Sequence, residues 1–444
     1  ADRDPATPCV RSPLWPSTAG GVRRGDFMVS AARIWWAGWS KRVRGEAILV
    51  LLARLANVGA GTVFVLLTAR HLGPDGRGEI VVAFTVAWAT TSIADLGTST
   101  SGRVSLLRPD GDVRVSDVVS LTAVLLPFQV VLSTVVITVL SITSLHLSPR
   151  FSVAVVALSV ATMMFNSATF LLYGLRRYRD VLVAEACLAV FQVMALAGLL
   201  MSSRLTTTSA VATMAAGSAL GSLWLVRGSG VIEHGLRSWG VTRWRQLLVD
   251  GLSPMAGGIA VFIALRVDRV ILAVVAGTHS LGIYTVALAI PETLRILPRA
   301  VGQVVADRGR SHMDTVAGSR RHARVFVVAH VMVLAAAALV GWLFLPKVFG
   351  KGFAESRDVL VVVTAAEAVL SIHLMHQALL VGFARPKGIG VPQVAGAVVM
   401  VALDLVMIPR WGMQGAAWAA LFGYSALALT STVWTNRELR RTKA

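Results

Sequence analysis

Twelve stretches of this 444-residue chain are apolar for about 20 residues or more, the length a helix needs to cross the hydrocarbon of a bilayer. They run over approximately 47–69, 79–101, 117–140, 151–173, 181–201, 206–226, 250–275, 280–305, 323–346, 358–381, 389–408 and 412–434. The runs are continuous and do not alternate polar with apolar, so they predict helices and exclude a β-barrel. Charged residues make up 15% of the chain, against about 25% in soluble domains. A soluble protein of this length could not bury so much apolar surface. An ordinary soluble enzyme, a disordered chain and a disulfide-stapled secreted domain are therefore excluded.

The net charge of +19 would suggest a nucleic-acid partner in a soluble protein. Here the placement of the cations points elsewhere. Of the 42 Lys and Arg, 29 fall in the N-terminal tail, the C-terminal tail and alternate loops. Eight fall in the other loops and five (Arg54, Arg266, Arg269, Arg295, Arg299) lie inside the spans. Positive loops stay in the cytoplasm, so both termini are expected there, next to anionic lipid headgroups. The expected organisation is a basic tail (1–46), a first lobe (47–226), a basic linker (227–249), a second lobe (250–434) and a second basic tail (435–444). Residues 1–27 differ in character from the rest, and Met28 is a candidate natural start. No signal peptide is read at the N-terminus. Cys9 and Cys187 stand too far apart in kind and place to suggest a bridge or a metal site. No nucleotide-binding P-loop motif occurs, and the outer loops are too short for a catalytic domain.

The two halves repeat. HLGPDGRG (71–78) and VAGTHSLG (275–282) each join the first two spans of a half, with Gly73 and Gly78 offset by 204 from Gly277 and Gly282. GLRRY (174–178) and GFARP (382–386) follow the fourth span of each half. Two six-span repeats of one orientation imply a pseudo-two-fold axis along the membrane normal. Gly217 and Gly221 form a G-x-x-x-G, and GMQGAAWAA (412–420) opens the last span; both are places for close helix approach.

LGPDGRG, ADLG (94–97), RVDRVILAVVAG with LGIYTVALAI (266–290), and IPRWGMQGAAWAAL (408–421) together resemble the Wzx-type polysaccharide-unit flippases. These belong to the multidrug/oligosaccharidyl-lipid/polysaccharide (MOP) exporter superfamily. The resemblance implies an all-α polytopic membrane protein, with two parallel-related six-helix lobes around a central cavity. It also implies alternating access in the bacterial cytoplasmic membrane and an oligosaccharide carried on undecaprenyl diphosphate for cell-surface polysaccharide. Twelve spans weigh against the peptidoglycan-precursor branch, which usually has fourteen.

Ionisable side chains within spans are expensive and so are functional candidates. Arg54 and Asp95 lie at matched depth on the first two spans and are expected to pair. Arg266 and Glu292 lie at matched depth on either side of the turn near His279. Glu292, Arg295, Arg299 and Gln303 are spaced along one helical face, with Arg269 one turn from Arg266. With only Asp268 and Glu292 to neutralise four arginines, the face reads as cationic and suited to a diphosphate, whose oxygens the planar guanidinium binds in pairs. The alternative is a set of buried ion pairs that hold hairpins together. Asp268, Glu185, Glu367 and Asp404 are candidates to carry protons or Na⁺. His373 and His376 lack a third ligand and read as packing or lining; no metal or cofactor is expected.

Four functions compete, one of them a non-transporting scaffold, which loss of transport with retained assembly would indicate. A lipid-linked-oligosaccharide flippase fits the arginines, with the carrier lipid, anionic membrane lipids and other polysaccharide-assembly membrane proteins as partners. A cation-coupled multidrug exporter would need an acidic, aromatic cavity. A membrane enzyme would need an extracytoplasmic catalytic loop.

Overall fold

The computed structural model describes the backbone over 41–107, 112–228, 241–310, 316–383 and 390–440, and side chains over 58–107, 112–227, 243–306, 316–383 and 390–439. The described residues are helical nearly throughout. In chain order the helices are α1 (Lys41–Ala94), α2 (Thr98–Leu107), α3 (Val115–Leu140), α4 (Pro149–Gly174), α5 (Tyr178–Met201) and α6 (Thr207–Gly228). They continue as α7 (Val241–Leu294), α8 (Ile296–Arg310), α9 (Val316–Phe349), α10 (Ser356–Gly382) and α11 (Gly390–Arg440).

Three of these helices fold back on themselves. At 1.5 Å per residue, Phe64 and Phe84 would stand about 30 Å apart in a straight helix. Their ring centroids are 5.9 Å apart in α1. The reversal occurs at Gly73, with φ 70° and ψ −173°, a region open essentially to glycine alone. Gly277 takes nearly the same angles in α7, φ 81° and ψ 174°. There Tyr284, 16 residues beyond Asp268, hydrogen-bonds back to it. α11 breaks at Gly412, with φ 52°, and Gly396 and Leu427 meet across it. The loops expected at 70–78, 276–279 and 409–411 therefore shrink to one non-helical glycine each. Helical backbone satisfies its own hydrogen bonds right up to the turn, which an apolar solvent rewards.

α3 shows why the fold needs lipid. Val124, Phe128, Val131, Val135, Val139 and Ile142 form one helical stripe, with Val131 60% and Ile142 73% exposed. Its opposite face is buried and partly polar: Gln129 donates to Thr90 (3.0 Å) and Thr91 (3.3 Å) of α1. An apolar outside around a core with polar patches is the pattern of a membrane helix. Seven described helices are long and apolar enough to cross a membrane, or eight when the bent pair of α1 and α2 counts as one. Gly217 packs on Leu188 and Phe191, and Gly221 on Phe165, so the G-x-x-x-G of α6 admits aromatic rings from α5 and α4.

Residues 53–444 form one compact unit, and its largest core draws on both repeats. Glycines bring the second arm of α1 against α7 at two levels. A Cβ on Gly78 would strike the Thr278 carbonyl, and one on Gly282 the Pro74 carbonyl. At the other end of that arm, Gly97 and Gly251 approach backbone to backbone. Ser101 Oγ donates to the Leu247 carbonyl (2.8 Å) and Trp244 Nε1 to Ser120 Oγ (3.1 Å), fastening the start of α7 to α2 and α3.

Candidate functional site

The ionisable residues of the second half converge between the two arms of α7 and the helices α8, α10 and α11. Because α7 reverses at Gly277, Arg266 and Arg269 on its first arm meet Glu292 on its second. Arg269 binds Glu292 directly, and Arg266 Nη1 stands 3.5 Å from Glu292 Oε2. Arg295, in the break between α7 and α8, is buried and holds Glu367 of α10 with both Nε (2.9 Å) and Nη2. Asp268 is buried, accepts the Tyr284 hydroxyl (2.6 Å) and lies within the field of Asp404 on α11. Asp404 is fully enclosed, and neither of its oxygens has a protein partner.

Glu367 changes the charge balance. The sequence places it among the candidate ion carriers, and the geometry makes it the counter-charge of Arg295. Glu367 thereby takes one of the two surplus cations expected on this face. Arg269 and Arg295 are both committed to carboxylates, the half-buried Glu292 and the buried Glu367. Arg299 and Gln303, one and two turns further along α8, are exposed, and Arg299 forms no ion pair among the described residues. Arg266 is held loosely and keeps 26% of its side chain exposed. Accessible cationic character thus resides in Arg266 and Arg299.

Two further residues border this face that the sequence did not single out. The guanidinium of Arg266 stands 5.3 Å over the ring of Trp88, on the second arm of α1, and Phe262 meets the same ring edge-on at 6.1 Å. Such a cation–π contact strengthens when desolvated. Trp88 is nevertheless 39% exposed, which leaves aromatic surface beside the arginine. Tyr424, on the second arm of α11, borders Arg295, Glu367 and Asp268. The chain has only four tyrosines, and two of them lie here, a compositional signal that was available in the sequence.

Other expected positions are placed differently. The Arg54 side chain lies outside the described residues, so its expected pairing with Asp95 does too. Asp95 caps α2: it accepts from the Ser99 amide (3.3 Å) and hydroxyl and from Thr98 Oγ1 (3.3 Å). Leu96 and Gly97 follow with positive φ, producing a 56° bend between α1 and α2. Glu185 is buried on α5, remote in sequence from the charged face, with Oε2 unpartnered. His373 shares its Nδ1 with Ser431 Oγ (2.6 Å), and His376 Nδ1 lies 2.8 Å from the Ile372 carbonyl.

A family model described as polysaccharide biosynthesis protein matches residues 43–305, a stretch that includes Trp88 and the arginine face from Arg266 to Gln303. The chain belongs to this family. No curated protein matches the sequence. Among solved structures, an inward-facing multidrug resistance MATE transporter of the MOP superfamily is similar at TM-score 0.73 and 14% identity, over 88% of this chain and 98% of that one. The lipid II flippase MurJ, in an inward closed conformation, is similar at TM-score 0.67 and 12% identity, over 87% and 86%. A MOP transporter from Pyrococcus furiosus Vc1, described as having a binding pocket of reverse polarity, gives 0.60 and 13% over 90% and 96%. The family member described here has the two-lobed, all-helical fold of those transporters and is a multi-pass membrane protein. The resemblance read from its glycine turns holds at the level of the superfamily.

Proposed function

We propose that this protein is a flippase that moves an oligosaccharide linked to undecaprenyl diphosphate across the bacterial cytoplasmic membrane for cell-surface polysaccharide. In this reading lobes 47–226 and 250–434 alternate access to a cavity between them, through twelve crossings with both termini cytoplasmic. Family membership carries the proposal, and Arg299, exposed and without an ion pair among the described residues, supplies the chemistry. A guanidinium fixed on a helix receives phosphate oxygens without recruiting mobile counter-ions, and it keeps its charge at every physiological pH. Arg266 beside Trp88 adds a second cation and an aromatic face for the sugar or the lipid phosphate. Arg269 and Arg295 hold the hairpins. Asp268 and Asp404, two enclosed carboxylates on facing helices, are the place for a coupling H⁺ or Na⁺. Anionic lipids would neutralise the basic cytoplasmic loops, and other membrane proteins of polysaccharide assembly would supply and consume the substrate.

The multidrug reading, favoured by the similarity to the MATE fold, requires a cavity that attracts cations, and Arg266 and Arg299 repel them. Reconstitution separates the two. Vesicles containing the protein should translocate fluorescent undecaprenyl-diphosphate oligosaccharide. Arg299→Ala should slow this about 10- to 100-fold, the worth of a charge-assisted hydrogen bond, while Arg299→Lys keeps part of the rate. Unchanged translocation by Arg299→Ala would remove the arginine from the mechanism.

The topology has its own test. In a background lacking Cys9 and Cys187, Arg179→Cys should react only from the cytoplasmic side and Lys351→Cys only from outside. Labelling of both from one side would overturn the orientation.

A further inference from the structure

Arg77 stands one turn beyond Gly73, beside the glycine that presses on the Thr278 carbonyl. In the sequence it reads as one more loop cation. In the structure it is 8% exposed, and its Nε and Nη1 are enclosed without any hydrogen-bond partner. Around it in the chain and across the contact, Ile80, Leu281 and Ile283 are almost wholly buried. Glu292 is the carboxylate whose field reaches it, but the two form no ion pair. A guanidinium left this way is costly, because nothing replaces the water it has lost. An apolar side chain of similar length would pack the same seam at lower cost.

The cost is relieved when the seam opens. Gly78 and Gly282 each meet the facing hairpin at its backbone, and the one polar side-chain contact beside them, Asp75 with His279, is exposed. Once they part, the Arg77 guanidinium becomes a bare cation at the side opposite Arg299. Resting on the flippase reading above, we infer that Arg77 is an exit-side phosphate receptor: it is unpartnered while the hairpins touch, and takes the diphosphate of the carrier lipid when they separate. The substrate would then meet one cation at each end of its path. Its transfer to Arg77 would stabilise the open seam, and its departure would let the seam close.

The test uses the full-length protein in vesicles with undecaprenyl diphosphate bearing a fluorescent disaccharide. Arg77→Met removes the orphan charge and keeps the length. It should raise the thermal midpoint of the purified protein and slow translocation tenfold or more, with binding of the labelled lipid from the cytoplasmic side within twofold of wild type. A purely structural arginine would not separate stability from transport in this direction. Wild-type translocation by Arg77→Met overturns the inference. If Arg77→Met does not fold, Arg77→Lys and Arg77→Gln decide: a Lys variant faster than Gln supports it, and equal rates at the wild-type level overturn it. A fluorescent phosphatidylglycerol moved with the same dependence on Arg77 would make the receptor a general anion site and overturn the diphosphate assignment. Wild-type protein that moves a cationic dye but no lipid diphosphate would sink the flippase reading itself, and this inference with it.

Discussion

Gly282→Val should abolish export while leaving folded protein in the membrane. The new side chain would project onto the Pro74 carbonyl, and backbone cannot rotate aside as a flexible side chain can. The clash exists only when the two hairpins touch, so the substitution acts on one conformation. Overpacking of this kind costs roughly 1–3 kcal/mol, which shifts a balanced open–closed equilibrium by about 10- to 100-fold. Gly78→Val should act alike through the Thr278 carbonyl. The nearby contact of His279 Nδ1 with Asp75 Oδ2 (3.0 Å) is mostly exposed, and even a charged surface pair contributes about 0–1 kcal/mol. Its removal should therefore change transport little. Cysteines placed at Asp75 and His279 would report the contact: they should crosslink readily in the parent and poorly with Gly282→Val. Efficient crosslinking in that variant would show that the seam still closes.

Glu367→Gln should be among the most destabilising conservative substitutions in the chain. It takes from the buried Arg295 guanidinium its closest anion and leaves only Glu292, 3.6 Å away; removing one partner of a buried pair costs about 3–5 kcal/mol. The double variant Arg295→Met with Glu367→Leu should recover most of the loss, because two apolar side chains fill the site with no charge to solvate. Thermal unfolding in detergent reads both effects. Translocation by the double variant then separates roles. Retained transport identifies Arg295 as a brace, and lost transport with restored stability returns it to the substrate path. A Glu367→Gln protein as stable as the parent would mean that the pair contributes nothing.

Helices and the paired glycine turns of the repeat could be read from the chain because each rests on a local or periodic signal. Apolar runs register directly in composition, and Gly73 and Gly277 announce themselves by their common offset. Glu367 could not be matched to Arg295, since 72 residues and a choice among several helices separate them. Asp95 carries a second local signal besides its depth: a carboxylate followed by Thr98 and Ser99 is also a helix cap, and the described side chains form that cap, while the Arg54 side chain lies outside them. Arg77 was hidden by a turn shorter than its sequence suggests. HLGPDGRG has the composition of a loop, yet only Gly73 leaves the helix, so the arginine is carried inward onto a packed face. Trp88 gave no periodic signal at all, because its significance depends on what the other half of the chain brings against it.

The contact at the head of the two hairpins has a history written into it. Position 78 touches the carbonyl of 278, and 282 touches that of 74; each half offers the other the same two places, 204 residues apart. Asp75 meets His279 under the same rule. Reciprocal contact of this kind is the signature of an isologous dimer. A single six-helix polypeptide that paired with its own copy would have made this surface first, with glycine required on both sides by symmetry. Fusion of the two genes would then have freed the copies to diverge, so that one could keep an aspartate where the other acquired a histidine. Chains divided between the halves should on this account find each other again, and the glycines are where they would begin.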